Sequence, residues 1–478
     1  MPLKEDTGIE DTGIKDKKTD FLDEDERLSA LAAPVPRKTV GIAGTFDVQN
    51  YGDLLFPQIA AAALKRRDRD IGVIPFSVIA KSEPAWPFRV RPVEDIAVSV
   101  ATLSAMLIGG GQIVRFDRSY PIETPAHAGL PFAYWLTPAV LAALAGKPVI
   151  WNAVGASTGW SHSHWHDELL RQVFAASYFI GVRDSVSRDD LAKIAPEAAI
   201  QFLPDTAFGL SRLWPLEEES AEFKQWKASH GLAAKYVVIQ ASTEAGKHGR
   251  EIQSVLEPME KTSAVVLPVC WCHGDRAEKF PAIKGGAFLE REWPAPRLIA
   301  EIIGRSEFVF ASSLHACITA LSYGVPAARM TGSTGGKYEQ LDEFEGIARI
   351  DQKDALLRLA RRGRYIEPRV TEFADRLDRY WDDVADVVLR PPQAHGHLAQ
   401  ALMMAWMAAV CGDRKHLGAI RRSAEGLRGS LAEYFPQSRR ALRSRLAALK
   451  RSARAAFRAA QSRRPKHESG NARAQSRP

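Results

Sequence analysis

Short apolar runs alternate with helical stretches along most of this 478-residue chain, and that alternation constrains the fold more than any single motif. It begins at Lys38. KTVGIAG reads as a buried strand, followed by a loop and a helix from about Asp53 to Arg67. IGVIPFSVIA (Ile71–Ala80), AMLIGGG (Ala105–Gly111), KPVIWNAVG (Lys147–Gly155), YFIGVRD (Tyr178–Asp184) and AAIQFLPD (Ala198–Asp205) continue the strands. Helices near Phe132–Ala145 and Trp165–Ala176 lie between them. Short apolar strands separated by helices predict parallel strands with crossover helices, hence an α/β fold.

The series breaks at SRLWPLEEESAEFKQWKASH (211–230), which reads as a linker with a helical piece, and then restarts. KYVVIQA (Lys235–Ala241), AVVLPV (Ala264–Val269), EFVFAS (Glu307–Ser312) and VPAARM (Val325–Met330) are the second set of strands. A helix runs to about Lys261, and others lie around Pro296–Gly304 and Leu314–Tyr323. Two Rossmann-like halves facing a cleft are therefore expected at 38–212 and 235–352, joined by a linker at 213–234. A helical region is expected at 353–435. The segment 1–37, with its EDTGI duplication, has too few large apolar residues to offset the entropy of ordering and is expected to be disordered. No run of about 18 uncharged apolar residues is present, and the polar N-terminus lacks the apolar core of a secretory signal. Four cysteines in so long a chain suggest reduced thiols and a cytoplasmic location.

Charge is uneven. Residues 436–478 hold 13 Lys/Arg and one acid, a net of +12 out of the chain's +7, which leaves about −5 for the remainder. Leu442, Leu446, Leu449, Ala453 and Phe457 share one helical face there, so the tail reads as a basic amphipathic helix suited to an anionic membrane surface. The plain alternative is a solvated extension. Nucleic-acid binding lacks the interleaved aromatics it would need.

Several loops sit where an open α/β sheet binds ligands, beyond the carboxyl ends of strands. GTFDVQNYGDLLFP (Gly44–Pro57) offers Asn50 and Asp53 as helix caps or as ligand groups at a helix N-terminus. Gly109, Gly110 and Gly111 suggest a close backbone approach, with Arg115 and Arg118 following. HSHWHD (His162–Asp167) and CWCH (Cys270–His273) lack partner ligands for a metal; in the second, His273 and Asp275 are expected to face the cleft. In FASSLHACITALSYGVPA (Phe310–Ala327), Ser312 or Ser313 caps a helix whose first turn carries His315 toward the cleft.

These segments, NYGD, IGGGQIVRFD, GVRDSVSRDDL (Gly181–Leu191), LPDTAFGL (Leu203–Leu210) and SSLHACITALSYGVP (Ser312–Pro326), occur in an order that resembles the polysaccharide pyruvyl transferase family. The resemblance spans roughly Thr39 to Met330 and implies a glycosyltransferase-B-like fold. It implies transfer of pyruvate from phosphoenolpyruvate to two hydroxyls of a sugar on an exopolysaccharide, wall polymer or lipid-linked precursor, as a cyclic ketal, with no cofactor and no metal. His315 matches the histidine of the family's Arg-x-His segment, as general acid or phosphate ligand, and Asp205 matches a strand-end aspartate. Ser313 stands where the family has its arginine, so Arg183 becomes the candidate to bind the donor's anionic groups. Asn50, Asp53 and Gly109–Gly111 would line the acceptor side, and Ser312, Ser313 and His273 complete the binding set. Two alternatives stand beside it: a glycosyltransferase of the same fold using a nucleotide sugar, and a non-catalytic polysaccharide assembly protein.

Overall fold

The computed structural model describes residues 38–83, 86–115, 135–156, 164–232, 235–259, 262–280, 287–330 and 336–390. The 1–37 segment, Arg118, His162, residues 391–435 and the basic tail lie outside them.

The first half forms one parallel sheet. Its strands are β1 (Lys38–Ala43), β2 (Ile71–Ser77), β3 (Arg91–Pro92), β4 (Ala105–Ile108), β5 (Gly111–Val114), β6 (Val149–Ala156), β7 (Phe179–Val182) and β8 (Ile200–Phe202). They lie in the order β3-β2-β1-β4-β6-β7-β8, with β5 paired to β6. The second half repeats the plan with β9 (Tyr236–Gln240), β10 (Ser263–Leu267), β11 (Phe288–Leu289), β12 (Phe308–Ala311), β13 (Ala327–Arg329) and β14 (Ile347–Arg349), ordered β11-β10-β9-β12-β13-β14. Both orders run outward one way from the first strand and then reverse. This is the doubly wound pattern, which opens a crevice between the first and fourth strands of each sheet. Every residue of β4, β6, β9 and β12 is buried, as expected of parallel strands covered by helices on both faces.

The helices that matter to the site are α1 (Tyr51–Arg67), α2 (Leu136–Leu144), α3 (His164–Ala175), α4 (Ser185–Ile194), α5 (Pro296–Arg305), α6 (Leu314–Ser322) and α7 (Pro368–Leu389). Sequence and structure differ at several points. The expected strand through Gly111 is two strands: Gly109, Gly110 and Gly111 all have positive φ (62°, 98° and 84°), so the chain kinks after Ile108 and re-enters the sheet as β5. Helix α3 begins at His164, so part of the histidine-rich stretch read as a loop is helical. The three-residue β14 and the two-residue edge strands β3 and β11 were not anticipated.

The halves are joined by direct backbone contacts across the cleft. Asn50 and Cys270 form an isolated antiparallel bridge, and Tyr51 N–H donates to Val269 O at 3.0 Å. Tyr51 Oη and Thr319 Oγ1 share a 2.7 Å hydrogen bond, and one hydrophobic cluster contains residues of both halves. Helix α7 then returns to the first half. Arg67 Nε donates to Asp382 Oδ1 at 2.7 Å, and the buried Tyr380 hydroxyl donates to Asn152 Oδ1 at 2.9 Å. Asn152 Nδ2 in turn donates to Gly109 O at 3.4 Å, so the returning helix braces the glycine kink.

Candidate functional site

Both crevices open into one cavity of about 570 Å³. Asn50, Asp53, Gly111, Gln112 and Arg183 come to it from the first half, and Gln240, His273, Ser312, Ser313 and His315 from the second.

On the first half, Asn50 caps α1, its side-chain oxygen accepting from Gly52 N–H at 3.2 Å and from Cys270 Sγ–H at 3.4 Å. Asp53 follows in the first turn and touches the cavity. Burial pushes its carboxyl above the usual carboxylate range, against the opposing pull of His315, Thr45, His273 and Arg183. Of the three glycines, Gly111 reaches the cavity wall and the other two lie behind it. A Cβ at Gly109 would overlap Ile113, and one at Gly110 would overlap Phe56, so these two serve the kink and its packing.

The second half presents a pinned wall. Gln240 Oε1 accepts from Ser312 N–H (2.9 Å), Ser313 N–H (2.8 Å) and the Ser312 hydroxyl (3.2 Å). Its amide nitrogen donates to Asp275 Oδ2 at 2.9 Å, and that oxygen also accepts from Val269 N–H and Cys270 N–H at 3.1 and 2.8 Å. Buried Gln240 and Asp275 therefore clamp the loops after β9, β10 and β12 together. Ser313 Oγ caps α6 by accepting from Ala316 N–H at 3.4 Å. His273 sits exposed in a short turn ended by left-handed Gly274.

His315 projects from the first turn of α6 and is 9% exposed. Its ring meets Phe56 edge-to-face, with centroids 5.2 Å apart. A Cβ at Gly52 would overlap the imidazole, so the absence of a side chain there lets α1 approach the ring. His315 Nε2 lies 3.2 Å from Asp205 Oδ2, within ion-pair range though off the line of a hydrogen bond. Asp205 is fully buried at the end of the β8 loop and does not reach the cavity wall, standing behind His315. Burial would raise the Asp205 carboxyl, but the His315 charge and contact, Arg183 and the Ala207 N–H together outweigh it. The group is held below the usual range.

Arg183 is 1% exposed and largely committed. Its Nη1 lies 3.4 Å from Asp205 Oδ2, its Nη2 donates to Gln112 Oε1 at 2.8 Å, and its Nε is 3.9 Å from Asp184 Oδ2. Gly155 leaves room for this arrangement, since a Cβ there would overlap Gln112 and approach Arg183 Nε to 2.9 Å. Sequence reasoning did not find Gln112, Gln240 or Lys337, all of which line the cavity. Gln112 and Gln240 are single polar residues in the short strands β5 and β9, and Lys337 lies in a short 3-10 helix (Gly336–Glu343), so none carries a periodic signal. Among the described residues no group of three or more His, Cys, Asp or Glu is placed to hold a metal, and no helix is long and apolar enough to cross a membrane.

Similar solved structures include the UDP-GlcNAc 2-epimerase of Methanocaldococcus jannaschii, 12% identical, covering 73% of this chain and 99% of that one at a TM-score of 0.46. The Neisseria meningitidis UDP-GlcNAc 2-epimerase bound to UDP-GlcNAc is also 12% identical, covering 77% and 99% at 0.39. No curated protein matches the sequence. The polysaccharide pyruvyl transferase family model matches residues 50–333, more than half of the chain. The chain therefore belongs to the polysaccharide pyruvyl transferase family and is a transferase enzyme.

Proposed function

We propose that the cavity transfers pyruvate from phosphoenolpyruvate to two hydroxyls of a sugar, giving a cyclic ketal and inorganic phosphate. The observation that carries this reading is the pairing of His315, backed by ionised Asp205, with Asp53, whose carboxyl favours its proton. Two neighbouring carboxyls shifted in opposite directions, Asp205 down and Asp53 up, suit a reaction that must both give and take protons. Asp53 donates a proton to the enol methylene carbon, and positive charge develops at the adjoining carbon. One sugar hydroxyl adds there and loses its proton to His315, whose imidazolium Asp205 stabilises. The carbon–oxygen bond to phosphate then breaks, and phosphate departs with a proton from His315. The second hydroxyl adds to the same carbon, and its proton returns Asp53 to the acid form. Arg183 orients the donor carboxylate while holding Asp205 in place.

The acceptor is a sugar on a polymer or its lipid carrier, and the 436–478 tail holds the enzyme reversibly at an anionic membrane face, each basic residue contributing about 1 kcal/mol. The test of the chemistry is turnover in deuterated water with phosphoenolpyruvate and a pyruvylatable oligosaccharide. One deuterium per ketal methyl, with equimolar phosphate, is expected. Turnover of UDP-sugars in place of phosphoenolpyruvate would transfer the protein to the nucleotide-sugar reading.

A further inference from the structure

We propose that a second groove, lying along α1, binds a stretch of carboxylate-bearing saccharide and so holds an acidic glycan chain beside the cavity of His315. The groove is about 530 Å³ and shares no lining residue with that cavity. It runs between the halves. Helix α1 with β2 and β3 supplies one side, and Trp214 with Arg297, in the first turn of α5, supplies the other.

Its lining carries one sign of charge. Arg89, Arg91 and Arg297 stand in it, and no Asp or Glu does. None of the three forms an ion pair among the described residues, whereas Arg67 and Arg183 are each held by carboxylates. Outside the basic tail the chain totals about −5, so this is a local positive cluster on an acidic body. Unpaired like charges gathered at one concave surface raise the local concentration of anions.

The rest of the lining is apolar. Pro57, Pro75 and Phe88 lie there with the indole of Trp214. The Arg297 guanidinium rests over that indole, 5.7 Å from the ring centre, which orients its plane and leaves its N–H groups for a ligand. Aromatic and proline surfaces suit the C–H faces of pyranose rings, and guanidinium forks suit carboxylates. A small inorganic anion would leave the apolar surface unused, and a neutral sugar would leave three arginines unused. A concave site also favours a chain that enters it over a bilayer face that would lie across it.

The groove continues along the helix. Ala62 belongs both to it and to a neighbouring depression that holds Lys65 and Arg69, which also lack ion pairs among the described residues. In the other direction, Asp53, Pro57 and Ala61 follow one another at a spacing of four on α1. Pro57 and Ala61 thus stand about 6 and 12 Å along the axis from the turn that carries Asp53, close enough for one chain to occupy both sites. That this chain is the acceptor rests on the pyruvyl-transfer reading; the ligand class of the groove does not. On that reading each transfer adds a carboxylate, so repeats already modified are themselves ligands for the groove.

The test compares the full chain with a triple variant (Arg89→Gln, Arg91→Gln, Arg297→Gln) and with Arg297→Gln alone. Each is titrated calorimetrically with tetragalacturonate, with an oligosaccharide carrying one pyruvate ketal, and with neutral maltotetraose, and melting curves are the folding control. The triple variant is expected to bind the acidic glycans at least about tenfold more weakly at an unchanged melting temperature, and Arg297→Gln about threefold more weakly. Maltotetraose should bind wild type at least about tenfold more weakly than either acid. A loss confined to one acidic glycan keeps the proposal and tells a uronate from a ketal carboxylate. Unchanged affinity for both in the variants, or equal binding of maltotetraose by wild type, would overturn it. So would vesicle binding that falls in the triple variant without any glycan binding, which would give the groove to a lipid surface. Groove-dependent glycan binding by a protein that consumes no phosphoenolpyruvate would keep the groove and overturn pyruvyl transfer.

Discussion

The two walls of the cavity come from the same topology used twice, yet they are built in opposite ways. At the first sheet's crevice the wall is made of charge and bare backbone: Asp53 with its raised carboxyl, the left-handed Gly111, and Gly52 against the imidazole. At the second sheet's crevice it is made of a hydrogen-bond network, with Gln240 clamping Ser312 and Ser313 and Asp275 fixing the next loop. The first wall holds groups in states that folding alone would not choose, while the second holds the loops still. His315 belongs by sequence to the second half and by its charge partner Asp205 to the first. Titratable groups and hydrogen-bonded supports are therefore divided between halves and meet at one ring.

Substitutions can break or sharpen this contrast. His315→Ala, which touches both walls, is expected to lower turnover by about 10⁴-fold. It also takes one partner from the buried Asp205, which keeps Arg183 and the Ala207 N–H, and costs about 1 kcal/mol of stability; activity assays with a melting curve read both losses, and wild-type turnover would remove His315 from the mechanism. Asp53→Asn, on the reactive wall, is expected to cost about 10³-fold in rate while stabilising the fold. The sign follows from its raised carboxyl. Stability contributed by such a group is present below the unfolded pKa of about 3.9 and is lost as pH rises through the folded value. At pH 7 a buried carboxyl whose ionisation the fold disfavours is therefore a cost, and its replacement by an amide should stabilise the fold, a gain that vanishes below about pH 4 in thermal melts run across pH. Asp205, held low, behaves in the opposite sense: its contribution is present above the unfolded pKa and is lost as pH falls through the folded value.

Gly52→Ala drives a methyl into the imidazole and should reduce turnover about 10²-fold through misplacement alone. A kcat loss with little change in donor KM is the expected kinetic signature. Gln240→Ala, on the pinned wall, reverses the pattern. It leaves the Ser312 and Ser313 N–H groups without their acceptor and should cost about 2 kcal/mol of stability. Its rate loss should be about tenfold, since no reacting group is removed. A larger rate effect than that of Asp53→Asn would end the distinction between the walls. The smallest expected effect is that of removing residues 436–478. Turnover on a soluble acceptor should be unchanged, while co-sedimentation with anionic vesicles falls and becomes insensitive to salt.

Much of the fold was legible because buried parallel strands leave long apolar runs, as KTVGIA and YVVIQ do. Strands of two or three residues, such as Arg91–Pro92 and Ile347–Arg349, are too short to carry any period. The site was legible where a residue type is tied to a strand end, as with Asn50, Asp53, Asp205 and His315. It was not legible in Gln240, which looks like the last polar residue of a strand, or in Lys337, which looks like a solvated charge. Arg183 shows the limit in the other direction. Its sequence position suggested a cation open to ligand, whereas folding surrounds it with Asp205, Asp184 and Gln112.

The brace from Tyr380 through Asn152 to Gly109 sets a schedule for the chain as it leaves the ribosome. Tyr380 emerges 228 residues after its partner. Until then the buried Asn152 lacks that hydrogen bond, and the glycine kink beside the site is unbraced. The first half can collapse early, but it cannot complete its interior until the last described helix is synthesised. A nascent chain halted before Pro368 would thus present a protease with an exposed, unfinished first half, however long it had been left to fold.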